Sequence, residues 1–264
     1  MNAGLLAIVR PVSDAMQHCE LTHLDRSPID VTLARRQHAQ YVAMLASLGC
    51  DVHELPAAQD LPDAVFVEDT AVVLDEVAVL ARPGASSRRP EVAVMATALG
   101  RWRTCVSIEA PGTLDGGDVL RVGHTLYVGR TPRSNAEGIA QLAAAVARHG
   151  YRVEAVPVRG CLHLKSAVTR VAADTLLVNP EWVDPARWPG LRRIHVDALE
   201  PQAANALEVG GRVLMPASFP GTRERLATAG LDVVPVDASE VQKAEGGVTC
   251  CSVILRVAQP GFQQ

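Results

Sequence analysis

A chain of 264 residues with 48% hydrophobic side chains can bury a sizeable core, and one folding unit over 1–264 is the default at this length. Aromatics at 3% make that core largely Val, Leu and Ala and leave no base-stacking platform. Lysine and arginine total 25 against 29 acids, a net charge of −4 without a basic run, which excludes nucleic acid as a partner.

Residues 1–10 hold a short apolar stretch without a basic n-region, and no segment approaches the roughly 20 apolar residues that span a bilayer. A cytoplasmic protein with no membrane partner is expected. An amphipathic helix follows over 33–48, with Tyr41, Val42, Leu45 and Leu48 on one stripe. Gly49 stops it, because the residue after a helix usually takes a positive φ, and a strand over 50–55 runs into Pro56. Glu68 and Asp69 then lead into an apolar strand at 70–74. A looser copy has Gly100, a strand within 101–110 and Pro111, after which Asp115 and Asp118 precede a strand at 119–122. The second full copy opens at Asn135, a good N-cap, runs to His149, and passes through Gly150 into a strand at 151–156 before Pro157. His163 and Ser166 precede a strand at 167–171, and Asn205 one at 207–209. The third copy is a helix over 221–229, Gly230 and a strand at 231–234 before Pro235; Cys250 precedes a last strand at 252–257.

The five polar clusters recur roughly every 40 to 50 residues, within the period range of repeat folds. Units of strand, strand, helix and strand closing around a pseudo-fivefold axis would bring all five clusters to one mouth. An open α/β sheet with unrelated polar residues accounts for the same periodicity. Neither glycine fingerprint of a Rossmann or P-loop site is present.

Of the six cysteines none forms a C-x-x-C pair, so neither structural zinc nor a redox motif is signalled. Strand alternation separates the adjacent pair: Cys251 shares a face with Val253, Leu255 and Val257, whereas Cys250 shares one with Ser252, Ile254 and Arg256. Cys250 is therefore the thiol able to reach a polar site, and Gly246 and Gly247 upstream let backbone pass close to a ligand. Glu68 and Asp69 interrupt an apolar run and need a cationic partner. Arg82 or Arg88 would serve structurally; a bound guanidinium is the alternative, since its planar N–H donors match several carboxylates. Asp115 and Asp118 flank Gly116 and Gly117, a sequence that also suits a plain Asx turn. His163 stands between two leucines, where a lone histidine is more often a satisfied core residue than a catalyst, though with a cysteine and a carboxylate it completes a nucleophile, base and orienter set.

Together these residues identify a resemblance to the dimethylarginine dimethylaminohydrolases, of the guanidino-group-modifying superfamily with the pentein fold. It spans about 9–257. It rests on Leu61-Pro62-Asp63 with Phe66-Val67-Glu68-Asp69, on Arg82-Pro83-Gly84-Ala85 with Ser87-Arg88-Arg89, on Thr113-Leu114-Asp115-Gly116-Gly117-Asp118, on Leu162-His163-Leu164-Lys165-Ser166 and on Val248-Thr249-Cys250-Cys251-Ser252. The resemblance implies an α/β propeller of five ββαβ repeats, with Cys250 as nucleophile, His163 as general acid and base, and Asp115 as the carboxylate that positions the histidine. It further implies Asp63, Glu68 and Asp69 around the guanidinium and Arg88 and Arg133 on the substrate carboxylate. Backbone carbonyls would come from Leu21, in a lid over 17–28, and from Ala244. Methylated arginine would be hydrolysed to citrulline without a resident metal or cofactor, by a monomer or homodimer whose only implied partner is this small molecule. Zinc would enter as an inhibitor at Cys250 and His163. Arginine deimination, amidino transfer and non-catalytic binding of arginine derivatives are the rival functions; deiminases carry an extra helical domain for which the chain has no room.

Overall fold

Asp30 accepts a hydrogen bond from the Leu33 amide at 2.9 Å and so opens the first helix of the computed structural model, which describes residues 3–258. The ends of the expected 1–264 unit lie outside the described residues. This helix, α1 (Val31–Ser47), connects β1 (Ala3–Val9) to β2 (Cys50–Glu54), a parallel pair. Its buried residues Ala34, Gln37, His38, Tyr41 and Leu45 repeat at helical spacing, so one face packs inward. Next, β3 (Ala71–Val73) and β4 (Val77–Leu80) pair antiparallel, and α2 (Val92–Leu99) crosses over to β5 (Thr104–Ser107), parallel to β4. The same plan recurs in β6 (Val119–Val122), β7 (Thr125–Arg130), α3 (Ala136–Ala147) and β8 (Arg152–Pro157), with Asn135 capping α3 through the Gly138 amide. A one-turn helix, α4 (Leu164–Ala167), leads into β9 (Val168–Ala172), β10 (Thr175–Val178) and β11 (Arg192–His195). Here the crossover carries only a short 3-10 turn, Pro185–Arg187. The unit β12 (Leu207–Val209), β13 (Arg212–Pro216), α5 (Pro220–Thr228) and β14 (Asp232–Val236) restores the pattern. Finally, α6 (Ser239–Gln242) precedes β15 (Val253–Ala258), which pairs antiparallel with β1 and completes the first sheet.

The five three-stranded sheets are the blades of the expected α/β propeller, and apolar packing closes them into a ring. Each seam between neighbouring blades has its own buried cluster. Leu6, Ile8 and Val253 meet Ala78, Leu80 and Met95. Val72 and Val79 meet Leu126 and Val128, Leu120 and Val156 meet Val168 and Leu176, Leu177 and Ile194 meet Val213 and Met215, and Leu214 and Val236 return to Ala7, Val9 and Leu45. Innermost strands touch around the axis: β15 meets β3, β6 meets β9, and β9 meets β12. A strand burying both faces reads as a continuous apolar run, which is why β4 and β10 are buried throughout.

Three details depart from the sequence expectations. Gly49, Gly150 and Gly230 have φ of 88°, 80° and 91°, as helix stops require, but Gly100 continues the right-handed turn of α2 with φ −56°. Cys250 and Cys251 precede the last strand instead of joining it: residues 248–251 form a turn in which the Cys250 amide donates to the Gly247 carbonyl at 3.2 Å. Strand alternation therefore does not set their faces, although the turn gives the expected result, burying Cys251 and leaving Cys250 half-buried. His163 precedes its strand as expected, but a one-turn helix intervenes, with His163 at its N-cap in extended backbone.

Candidate active site

Three consecutive blades deliver acids and a base to one end of the ring. Asp69 lies on a 3-10 turn, Val67–Thr70, just before β3. Asp115 precedes another, Gly116–Asp118, just before β6. The two turns pack so closely that a Cβ on Gly116 would stand 2.0 Å from the Glu68 carbonyl, and one on Gly117 would stand 2.6 Å from Asp69 Oδ1 and 2.8 Å from His163 Nδ1. Only glycine admits that approach. In return the Gly117 amide donates to Asp69 Oδ1 at 3.0 Å.

His163 Nε2 lies 3.0 Å from Asp115 Oδ2, and its Nδ1 lies 3.8 Å from Asp69 Oδ1. Asp115 is fully buried and held by the Gly84 amide, which donates to Oδ1 at 2.9 Å. Asp118, also fully buried, accepts from the Leu164 amide at 3.0 Å and from the Thr131 and Ser134 hydroxyls, pinning the start of α4 beneath His163. Burial alone would pull the imidazole pKa down. The carboxylates of Asp69, Asp115 and Asp118 outweigh it and raise His163 to about 9, so the resting ring is an imidazolium. Asp69 shows the converse: burial pushes it up, but His163 and Arg88 bring it down to about 2.

Arg88 is buried and gripped from several sides. It donates to Asp69, to both oxygens of Glu91 at 3.2 and 2.8 Å, and to the carbonyls of Phe66 at 3.0 Å and Asp63 at 3.3 Å. Arg88 is thus the cationic partner of Asp69, whereas Arg82 donates to the Gly112 carbonyl and does not serve these acids. Glu68 points elsewhere. Its carboxylate accepts from Lys165 Nζ at 2.6 Å and Thr249 Oγ1 at 2.7 Å, and it faces an axial cavity of about 230 Å³ below the site. Asp63 accepts from the Glu20 amide at 3.1 Å, and its burial raises its pKa against the pull of Arg88.

Cys250 closes the arrangement from the blade that joins β15 to β1. The Gly247 amide points at its Sγ from 3.3 Å, and Asn205 Nδ2 stands 3.9 Å away. Burial, followed by the charges of Glu68 and Asp69, pushes the thiol up to about 12, so it stays protonated while no cation is bound. Asp63, Asp69, Arg88, Arg133, His163, Ala244 and Cys250 all line one cavity of about 20 Å³. Asp115 stands behind His163. Glu68 and Leu21 do not line this cavity; the Leu21 side chain packs against the cluster that holds Phe66 and Ala244. Among the described residues, the ligand atoms of Asp69, Asp115 and His163 form the one group close enough to share a metal ion, and Cys250 is not in it. Sequence reading passed over Glu91, whose i,i+3 spacing from Arg88 is a signal, and over Lys165, quoted in a motif but given no role. Asn205 was expected only as one of the five clusters at the mouth, with no role of its own, and Glu245 was missed because nothing local marks it.

The model of the arginine deiminase family matches residues 56–215. Over 252 residues the chain is 45% identical to the N(G),N(G)-dimethylarginine dimethylaminohydrolase of Streptomyces coelicolor, covering 95% of this chain and 96% of that protein. It is 37% identical over 226 residues to the protein of the same name from Pseudomonas aeruginosa, covering 85% of this chain and 89% of the other. A solved structure of the Pseudomonas aeruginosa enzyme, a cysteine-to-serine mutant complexed with citrulline, aligns with a TM-score of 0.92 at 34% identity, over 96% of this chain and 100% of that one.

Proposed function

The chain belongs to the dimethylarginine dimethylaminohydrolase family, and from that premise we propose how its acid-lined cavity works on a substituted guanidinium. The enzyme hydrolyses N-ω-methylated arginine, both asymmetric dimethylarginine and monomethylarginine, to L-citrulline and the corresponding amine. One observation carries the assignment of roles: Cys250 and His163 share a cavity with Asp63 and Asp69, and Asp115 holds the imidazole at 3.0 Å.

Asp69 and Asp63 receive the cationic head, while Arg133 and the remaining Nη1 hydrogen of Arg88 take the substrate carboxylate. Glu68 acts from behind, through Lys165 and Thr249. The bound cation offsets the acids that hold the Cys250 proton, and that proton leaves to solvent. The thiolate attacks the guanidinium carbon. Imidazolium His163 protonates the dimethylamine nitrogen, the C–N bond breaks, and a cysteine thiouronium remains. Neutral His163 then takes a proton from water as its oxygen adds to the same carbon. The C–S bond breaks, the added oxygen gives up its remaining proton to the departing thiolate, and Cys250 is returned as a thiol beside the neutral ureido group of citrulline. No step calls for a cofactor; Cys250 and His163 would be the residues to hold an inhibitory zinc ion, which would act by occupying the nucleophile and the acid. Residues 1–264 act as one catalytic domain, a reading supported by the closed ring of seams. Free buried cysteines support a reducing compartment such as the cytoplasm.

Incubation with asymmetric dimethylarginine and, separately, with arginine tests the reading. Dimethylamine and citrulline from the first are expected, with little ammonia from the second. Ammonia from arginine as the main product would assign a deiminase, and calorimetric binding without product a binding protein. Cys250→Ser is expected to bind without turnover.

A further inference from the structure

Glu245 ends α6 in an unusual way. The Gly246 amide donates to the Val241 carbonyl at 2.9 Å and the Glu245 amide to the Gln242 carbonyl at 3.2 Å, the paired bonds of a Schellman cap. Such a cap places its left-handed residue at Glu245, with φ 57°, the one non-glycine residue with positive φ among those described. Glycine is the usual occupant, and it stands one position too late, at Gly246. A glutamate kept in a strained backbone position invites a role for its side chain.

That side chain reaches the lid. Its Oε1 accepts from three consecutive amides, Thr22 at 2.9 Å, His23, and Leu24 at 2.6 Å. The other oxygen is buried without a hydrogen-bond partner, and Glu245 makes no ion pair among the described residues. The residue lines the catalytic cavity, and the turn it grips also touches the site through Thr22 Oγ1, 3.4 Å from Arg133 Nη2.

Peptide geometry converts this grip into an effect on substrate. A trans peptide is planar, with its C=O antiparallel to its N–H. Fixing the Thr22 N–H therefore fixes the Leu21 carbonyl, and fixing the Glu245 N–H fixes the Ala244 carbonyl. These are the two carbonyls expected to receive the substrate's cationic groups. We infer that Glu245 is a positioning residue for substrate binding: its carboxylate sets the plane of the Leu21 carbonyl on the lid, and its left-handed backbone sets that of Ala244 on the wall. This inference rests on the functional reading above. The residue touches no reacting atom, so it governs binding of the closed complex more than the chemical step.

Glu245→Gly tests the inference without endangering the fold, because glycine favours this backbone position. Glu245→Gln keeps a weaker acceptor for the lid amides. With asymmetric dimethylarginine, KM is expected to rise from wild type to Gln to Gly, on the order of tenfold for Gly, while kcat changes less than about threefold. The melting temperature of the glycine variant stays level or rises, and amides 22–24 exchange hydrogen faster. A wild-type KM in either variant, or a loss confined to kcat, would overturn the inference. Wild-type protein that releases no citrulline would instead overturn the functional reading, and this inference with it.

Discussion

On the wall of the catalytic cavity each charged group answers to several others, whereas the lid above it is held by single bonds to separate partners and by one shared oxygen. Asp69 meets Arg88, the Gly117 amide and His163; Arg88 in turn meets Glu91 and two carbonyls. By contrast, amides 22–24 share one oxygen of Glu245, and the start of the lid is tied by exposed Arg26, which donates to the carbonyls of Gln17 and Cys19 at 2.7 Å each. The wall must hold its charges ready before substrate arrives, which demands redundancy. The lid must let substrate pass, which demands ties that break together.

Removing the Arg88 guanidinium probes the wall most severely. Arg88→Met strands Glu91 as a buried, unpaired acid, leaves Asp69 only the Gly117 amide and His163, and is expected to cost about 3–5 kcal/mol in urea unfolding. A loss below about 1 kcal/mol would mean that the wall is no better braced than an exposed pair. Alkaline pH probes the same wall more gently. The folded pKa of His163, about 9, lies above the ordinary imidazole value of 6.5, so its contribution to stability is complete below about 6.5 and is lost as pH rises through about 9. The urea midpoint should fall over that window, and the fall should shrink in His163→Gln. An equal fall in both proteins would remove His163 from the account. The smallest change belongs to the lid. Arg26→Ala should shift stability by less than about 1 kcal/mol, because the side chain is exposed and leaves its two carbonyl partners within reach of water, and raise KM a few-fold. A stability loss matching that of Arg88→Met would erase the distinction between wall and lid.

Much of the ring could be read from the chain because its signals are local. A cap such as Asn135, a stop such as Gly150 and a strand ending at proline each announce themselves within a few residues. The blade holding β9–β11 was harder, since its crossover lacks a helix and its Gly190 follows no helical stripe. Pairing of β1 with β15 was not legible either, because nothing local links strands from opposite ends of the described chain. In the site, local pattern singled out Cys250, His163 and Asp69 and resemblance gave them roles, but the divergence of Glu68 from Asp69 needed the 3-10 turn that aims neighbouring side chains at different cavities. Glu245 stayed hidden because its partners lie more than 200 positions away, at the separation of 221 to 223 residues between the lid amides and their acceptor.

The sheet that joins β15 to β1 also fixes an order of events during synthesis. Chains leave the ribosome from the N-terminus at about 5–20 residues per second, and a domain generally folds as a unit. Every acid of the wall, the imidazole and the lid are therefore made before the thiol. Until the final strand docks on the first, nothing holds the turn that carries Cys250 against the acids of the wall, so the nucleophile is the last site residue to be placed. Topological closure is in this sense the moment of activation, with reactivity withheld until the last blade is complete.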